Sequence, residues 1–319
     1  MDIEYRHPTE ADAEAMIDVI NRSTRELRHH VEDTVENMRT WLFGEKDFDP
    51  AGYLIGFDGD TPVAFGGSMI SKSRFESGIK DAQVSLFIVP ELRGKGIEEH
   101  IFNLTAEYLR ARGIESLRYW APEPSGWRND FAIRQGMKDI RHGYLMICDK
   151  PLSSPTPALP DGYSLSRKNM LECSDDELKE FIRAFNDSFQ DHWNFSAIPE
   201  DRFIKVRDET IKAKDGIYWL TTTTKGGEIA GVCFYAIELR YNEQNNKKAG
   251  WTNILGVKKP HRRLGLGRAL LTDSMTWLRG QGMDILYLGM EAQNSKALSL
   301  YLSMGYRVEQ ENVHYELKL

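Results

Sequence analysis

The chain has 319 residues, 41% hydrophobic and 28% charged, with a formal net charge of −7. That length gives room for two domains of ordinary size, and the composition is that of a soluble globular protein. Residues 1–150 hold 26 acidic and 19 basic side chains and residues 151–319 hold 22 of each, so neither half has the basic excess that nucleic-acid phosphates require.

No apolar run approaches the ~20 residues of a membrane span. The opening Met1-Asp2-Ile3-Glu4-Tyr5 has neither the basic start nor the apolar core of a signal peptide. Cys148, Cys173 and Cys233 lack metal-type spacing and read as free thiols of a reducing, cytoplasmic compartment. Neither a metal nor a membrane nor a nucleic-acid partner is expected.

In chain order, the first landmark is the turn Arg93-Gly94-Lys95-Gly96-Ile97-Glu98. Next, Pro151, Pro155, Pro157 and Pro160, with Ser153, Ser154 and Gly162, make a stiff connector over 151–162. It predicts domains at 1–150 and 163–319. The two sides repeat each other. Arg93 and Arg262 lie 169 positions apart, as do Gly96 and Gly265, Leu109 and Leu278, Gly113 and Gly282, Leu117 and Leu286, and Gly136 and Gly305. One offset without a gap marks a duplicated domain.

The second half predicts a strand at 163–165 and helices at 175–189 and 200–212. Strands follow at 217–223, 229–239 and 251–257, with a polar, mobile hairpin tip at 241–248. A helix at 265–279, stopped by Gly280 and Gly282, precedes a strand at 285–290, a helix at 294–303 and a strand at 306–317. Strands around a central βαβ element give an α/β (α+β) domain in each half.

The sharpest motif is His261-Arg262-Arg263-Leu264-Gly265-Leu266-Gly267-Arg268, directly after the apolar run Ile254–Val257. A strand, a glycine turn and a helix start make a seat for a diphosphate, because glycine lets the backbone approach an anion and the first helical N–H groups lack internal partners. Arg262, Arg263 and Arg268 add positive charge. A Walker loop is absent, and a dinucleotide motif needs a third glycine where Leu270 stands.

Arg262-x-x-Gly265-x-Gly267 followed by Asn294-x-x-Ala297-x-x-Leu300-Tyr301-x-x-x-Gly305-Tyr306 resembles the GNAT acyltransferase superfamily, over both halves of the chain. The resemblance implies two tandem GNAT-like domains, each a mixed, mostly antiparallel twisted sheet flanked by helices. It implies acetyl-CoA as co-substrate, its pyrophosphate on the N–H groups of residues 263–268 and its pantetheine beside Leu255, Gly256 and Val257. Asn294 then holds pantetheine or caps its helix. Tyr301 becomes the general acid for the leaving thiolate, whose thiol has a pKa of ~8.5. The layout is similar to that of mycothiol synthase, with the C-terminal domain catalytic, but a fourth-strand carboxylate is missing here.

The expected reaction is acetyl transfer to a primary amine of a small molecule or peptide, by a monomer or homodimer. The alternative is a non-catalytic acyl-CoA-binding or sensing protein. Glu238 is the first candidate base, with Asp191, His192 and Glu291 behind it. Asp191, His192 and Trp193, within Phe189–Phe195, are the candidate acceptor-binding residues. The first half departs from the pattern: Glu98 replaces Gly267, Ala132 replaces Tyr301 and Ser125 replaces Asn294. A carboxylate at an anion seat repels its ligand, so this half is expected to be catalytically silent.

Overall fold

The computed structural model describes residues 2–122, 126–151, 158–193, 195–214 and 216–319. Ser125, Asn194, Ser153, Ser154, Pro155 and Pro157 lie outside the described residues. The chain forms two compact units, Met1–Gly143 with Gln310–Leu319, and Tyr144–Glu309.

The first unit is built from β1 (Ile3–Arg6), α1 (Ala13–Thr24), α2 (Val35–Met38), β2 (Tyr53–Asp58), β3 (Thr61–Met69), α3 (Lys72–Glu76), β4 (Asp81–Ile88), α4 (Ile97–Ala111), β5 (Ser116–Pro122) and α5 (Gly126–Arg134). Strand β6 (Lys138–Cys148) begins there and ends in the second unit. The second unit adds β7 (Tyr163–Asn169), α6 (Asp175–Phe189), α7 (Arg202–Ala213), β8 (Gly216–Lys225), β9 (Glu228–Glu238), α8 (Leu239–Asn245), β10 (Ala249–Val257), α9 (Leu266–Gly280), β11 (Ile285–Glu291) and α10 (Ser295–Ser303). The final strand, β12 (Arg307–Lys318), carries the chain back into the first unit.

In the first unit the strands run β1-β2-β3-β4-β5-β12, and residues 312–318 of β12 pair antiparallel with β5. In the second they run β6-β11-β10-β9-β8-β7. The runs β1-β2-β3-β4 and β7-β8-β9-β10 are antiparallel, whereas β4 with β5 and β10 with β11 are parallel. Compactness thus divides the chain at residue 143 and returns 310–319 to the first unit, rather than dividing it in the proline-rich connector. A strand has the same alternation whichever sheet it completes, so this exchange has no sequence signature.

Local sequence explains the elements of the second unit. The Ser174 hydroxyl accepts from Glu177 N while the Glu177 carboxylate accepts from Ser174 N, a reciprocal cap that starts α6. Leu178, Phe181 and Ile182 then face a core with Phe203, Leu220, Val232 and Phe234. On the opposite face of the sheet, Leu270, Leu271, Met275 and Leu278 of α9 pack with Tyr235, Leu286, Leu288 and Tyr301. The Asp273 carboxylate pairs there with Arg167 and accepts 2.9 Å from Thr221, so α9 is tied to β7 and β8 by a polar network as well as by apolar burial.

The hairpin tip expected at 241–248 is instead the helix α8, with Tyr241 buried between Trp251 and Tyr287. Asn242 brackets Ala249, donating to its carbonyl at 2.9 Å and accepting from its N–H at 2.8 Å. One buried aromatic and one amide clamp override a polar composition that reads as loop.

Candidate functional site

The site forms where β10 parts from β11. Their parallel register runs only from Ala249↔Ile285 to Thr252↔Leu288. Beyond it β10 shifts register against β9 at Asn253 and continues paired with β9 alone, Leu255 opposite Cys233 and Val257 opposite Gly231. A β-bulge of this kind bends its strand. Gly289 on the β11 side faces open space.

At the end of β10 the chain turns through Lys259–His261, and α9 starts at Leu266 behind Gly265, whose φ of +81° suits glycine. Nothing stands within 4 Å of the Cβ position of Gly265, and a Cβ at Gly267 meets only Leu300 at 3.8 Å and Val257 at 3.9 Å. The helix therefore presents its first N–H groups, and the positive end of its dipole, to an open space.

That space is a cavity of about 590 Å³. Leu255, Gly256, Val257, Arg262, Arg263, Gly265, Leu266, Gly267, Arg268, Asn294, Tyr301 and His192 line it. Glu238, Asp191, Trp193, Leu264 and Glu291 are not among its described lining residues. Glu238 pairs with Gly216 at the end of β9, five residues past the Cys233 that faces Leu255. Strand geometry, at ~3.3 Å per residue, carries it away from the gap.

The arginines divide their work. Arg262 donates from Nε to Val257 O at 2.9 Å, from Nη2 to Ser188 O at 2.9 Å, and through both Nη atoms to the Asp191 carboxylate. It locks the turn to the strand and to the end of α6 instead of standing free beside an anion. This pairing is also where Asp191 is spent: the guanidinium holds its carboxyl down at about 2. Arg268 reaches Met304 and Ser303 at the end of α10. Arg263 and Lys296 are the exposed cations of the wall, with no ion-pair partner among the described residues.

Asn294 caps α10, its Oδ1 accepting from Ala297 N at 3.1 Å, and it also reaches the cavity. Tyr301 is 7% exposed, and burial followed by the neighbouring Cys233 pushes its phenol well above the ordinary range. Of the lining residues, His192 continues a series of rings, Phe185 stacked on Phe189 and Phe189 tilted against His192, each pair with ring centroids 4.5 Å apart. Sequence reasoning missed this ladder. Its signal was Gly256, where a Cβ would stand 2.6 Å from the Phe189 ring.

The first unit repeats the frame and fills it. Arg93 donates from Nε to Ile88 O at 3.2 Å, from Nη2 to Ser23 O at 2.9 Å, and from Nη1 to Glu26. The register of β4 with β5 likewise stops at Val84↔Tyr119. Here, however, Glu98 is 1% exposed and its Oε1 accepts from Gly94 N at 2.7 Å, while its Oε2 is buried without a hydrogen-bond partner among the described residues. A carboxylate of the chain itself sits on the turn's amide. Arg128 and Phe131 of α5 are also buried, and Ala132 stands in the tyrosine position.

Comparison with known proteins agrees with this geometry. A family model described as the acetyltransferase (GNAT) family matches residues 178–306. The chain is 23% identical over 303 residues to a mycothiol acetyltransferase of Amycolatopsis mediterranei, covering 89% of this chain and 95% of the relative. It is 24% identical over 237 residues to a mycothiol acetyltransferase of an Arthrobacter strain, covering 73% and 69%. In fold it is similar to a tandem GNAT protein from the clavulanic acid biosynthesis pathway, with a TM-score of 0.74, 17% identity, and 99% and 98% of the two chains covered.

Proposed function

We propose that the chain is a tandem GNAT acyltransferase, a reading supported by the family match over residues 178–306 and the tandem GNAT fold, and that residues 144–309 move an acetyl group from acetyl-CoA to a primary amine of a small molecule or peptide. The observation that carries the reading is the convergence, in one cavity, of the open start of α9, the parted strands β10 and β11, and Tyr301.

In this reading the diphosphate rests on the N–H groups of residues 263–268, with Arg263 and Lys296 supplying charge. Asn294 and the unpaired side of Leu255–Val257 take the pantetheine arm, and a main-chain N–H near Val257 receives the developing oxyanion. The amine nitrogen attacks the thioester carbon, the C–S bond breaks, and its electron pair leaves on sulfur. Tyr301 returns a proton to that sulfur.

Burial supports this last role. The phenol keeps its proton at any working pH. A thiolate leaving into the same surroundings is desolvated too, as the upward-shifted thiol of Cys233 illustrates.

The Glu98 carboxylate on Gly94 N supports a silent first unit that takes no coenzyme. The names of the relatives make the acceptor of a mycothiol acetyltransferase the first probe to try.

A thiol-release screen tests the function. Purified protein with acetyl-CoA is offered amines, aminoglycosides, amino acids and peptides. Release that depends on one amine class, with the acetylated product found by mass, is expected. Tight acetyl-CoA binding with no transfer to any acceptor would favour the sensing protein instead.

A further inference from the structure

The geometry points to His192 as the group that accepts the amine proton; this rests on the acetyl-transfer reading above. The reasoning starts from what the wall of the cavity contains. Its described side chains are Ser, His, Leu, Val, Arg, Asn, Lys, Ala and Tyr, with no carboxylate among them. Strand β10 supplies none either, since it reads Ala249-Gly250-Trp251-Thr252-Asn253-Ile254-Leu255-Gly256-Val257. Of these side chains only imidazole has an ordinary titration range spanning neutrality.

Two imidazoles reach the cavity. His261 belongs to the diphosphate turn, and its Nδ1 is held 2.8 Å from the Tyr163 hydroxyl. That fixes it at the phosphate end, away from the thioester. His192 is on the other wall. Its N–H donates to Phe189 O at 2.9 Å, so the end of α6 sets its backbone. Its ring lies 4.5 Å from the Phe189 ring, which in turn abuts Gly256, beside Leu255. The phenylalanine ladder thus fixes the imidazole next to the strand against which the thioester is proposed to lie. Asp191, its neighbour in sequence, is committed to Arg262 and so is not the acceptor.

The step balances without another reagent. As the N–C bond forms, the proton leaves the amine nitrogen for an imidazole nitrogen of His192. As the C–S bond breaks, the Tyr301 hydroxyl protonates sulfur. Amide and free thiol result, and solvent returns the two side chains to their starting states.

The test follows thiol release from acetyl-CoA with water alone, with butylamine and with hydroxylamine, in the wild type, His192→Ala, His192→Gln and Tyr301→Phe. For His192→Ala the expected outcome with butylamine is a fall in kcat of roughly 10²–10⁴-fold, with the acetyl-CoA Kd unchanged. Added imidazole restores at least part of the rate, and hydroxylamine, a far weaker base, loses less than butylamine. His192→Gln keeps the volume of the ring and falls as far, without rescue.

If both His192 variants retain wild-type kcat while Tyr301→Phe is impaired, the proton acceptor is elsewhere and the acyl-transfer reading stands. The same holds if the loss comes with weakened acetyl-CoA binding and imidazole restores nothing. If the wild type releases no thiol with any probe, water included, the reading itself is lost and His192 with it.

Discussion

Arg262 donates from Nε to the main-chain oxygen of Val257, 2.9 Å away. The same arginine reaches back to Ser188 O at the end of α6. In the first unit Arg93 makes the matching bonds, to Ile88 O and Ser23 O. The motif arginine is a strut between strand, turn and helix, and it persists in the unit whose anion seat is filled. Its first task is therefore structural.

Replacing it tests that task. Arg262→Lys keeps a charge but cannot make the forked set of bonds. It is expected to weaken acetyl-CoA binding roughly tenfold to hundredfold, equivalent to about 1.5–3 kcal/mol for bonds to a charged donor. The turn should loosen at the same time, seen as faster amide exchange at residues 258–266. Unchanged exchange together with lost affinity would make Arg262 a direct phosphate ligand instead.

The partner carboxylate sets an acid limit. Asp191 is held at about 2, below the ordinary aspartate range near 4. A depressed value means that its contribution is complete above about pH 4 and disappears as pH falls through about 2. The side chain is 49% exposed, so screening keeps the effect to ~1 kcal/mol or less. Stability followed by thermal melting should decline between pH 4 and pH 2, and Asp191→Asn should flatten part of that decline while leaving the curve above pH 5 unchanged in shape.

Glu98 can be transplanted. Gly267 occupies the equivalent place in the second unit, and a Cβ there meets only ordinary contacts at 3.8 and 3.9 Å. Gly267→Glu should therefore fold, seat its carboxylate on the turn's amides and lower acetyl-CoA affinity by at least ~100-fold, since a like charge is set against the diphosphate. Calorimetric titration of the wild type should give one site per chain. Two equal sites would overturn the silent first unit.

The Asp273 network offers a stability test. Asp273 is 7% exposed and joins Arg167 and Thr221. Asp273→Ala breaks a largely buried pair. Because Arg167 keeps 34% of its side-chain exposure, the expected loss is about 3 kcal/mol, the low end for such pairs. For a unit the size of Tyr144–Glu309, unfolding on its own, that is a fall in Tm of ~6–12 °C. A change under 2 °C would show that α9 is held by apolar packing alone.

Much of this was legible in the residues. The helix expected over 175–189 is α6, and Gly265, Gly267, Asn294 and Tyr301 reach one cavity. What stayed hidden depended on distant partners. Glu238 lies on a plausible strand, but register decides whether it reaches the gap, and register is a property of two strands. Asp191 looked available because its arginine is 71 positions away in the chain. Tyr241 read as loop until Trp251 and Tyr287 closed around it. The return of residues 310–319 to the first unit is likewise decided by pairing with β5 and not by the composition of the strand.

The most direct measurement is a crystal structure of the chain grown with acetyl-CoA. One coenzyme per chain is expected, its diphosphate on the main-chain N–H groups of residues 263–268 and its thioester beside Leu255 and within reach of Tyr301. Coenzyme bound at the Arg93–Glu98 turn, or bound in the second unit with its diphosphate away from the start of α9, would contradict the account.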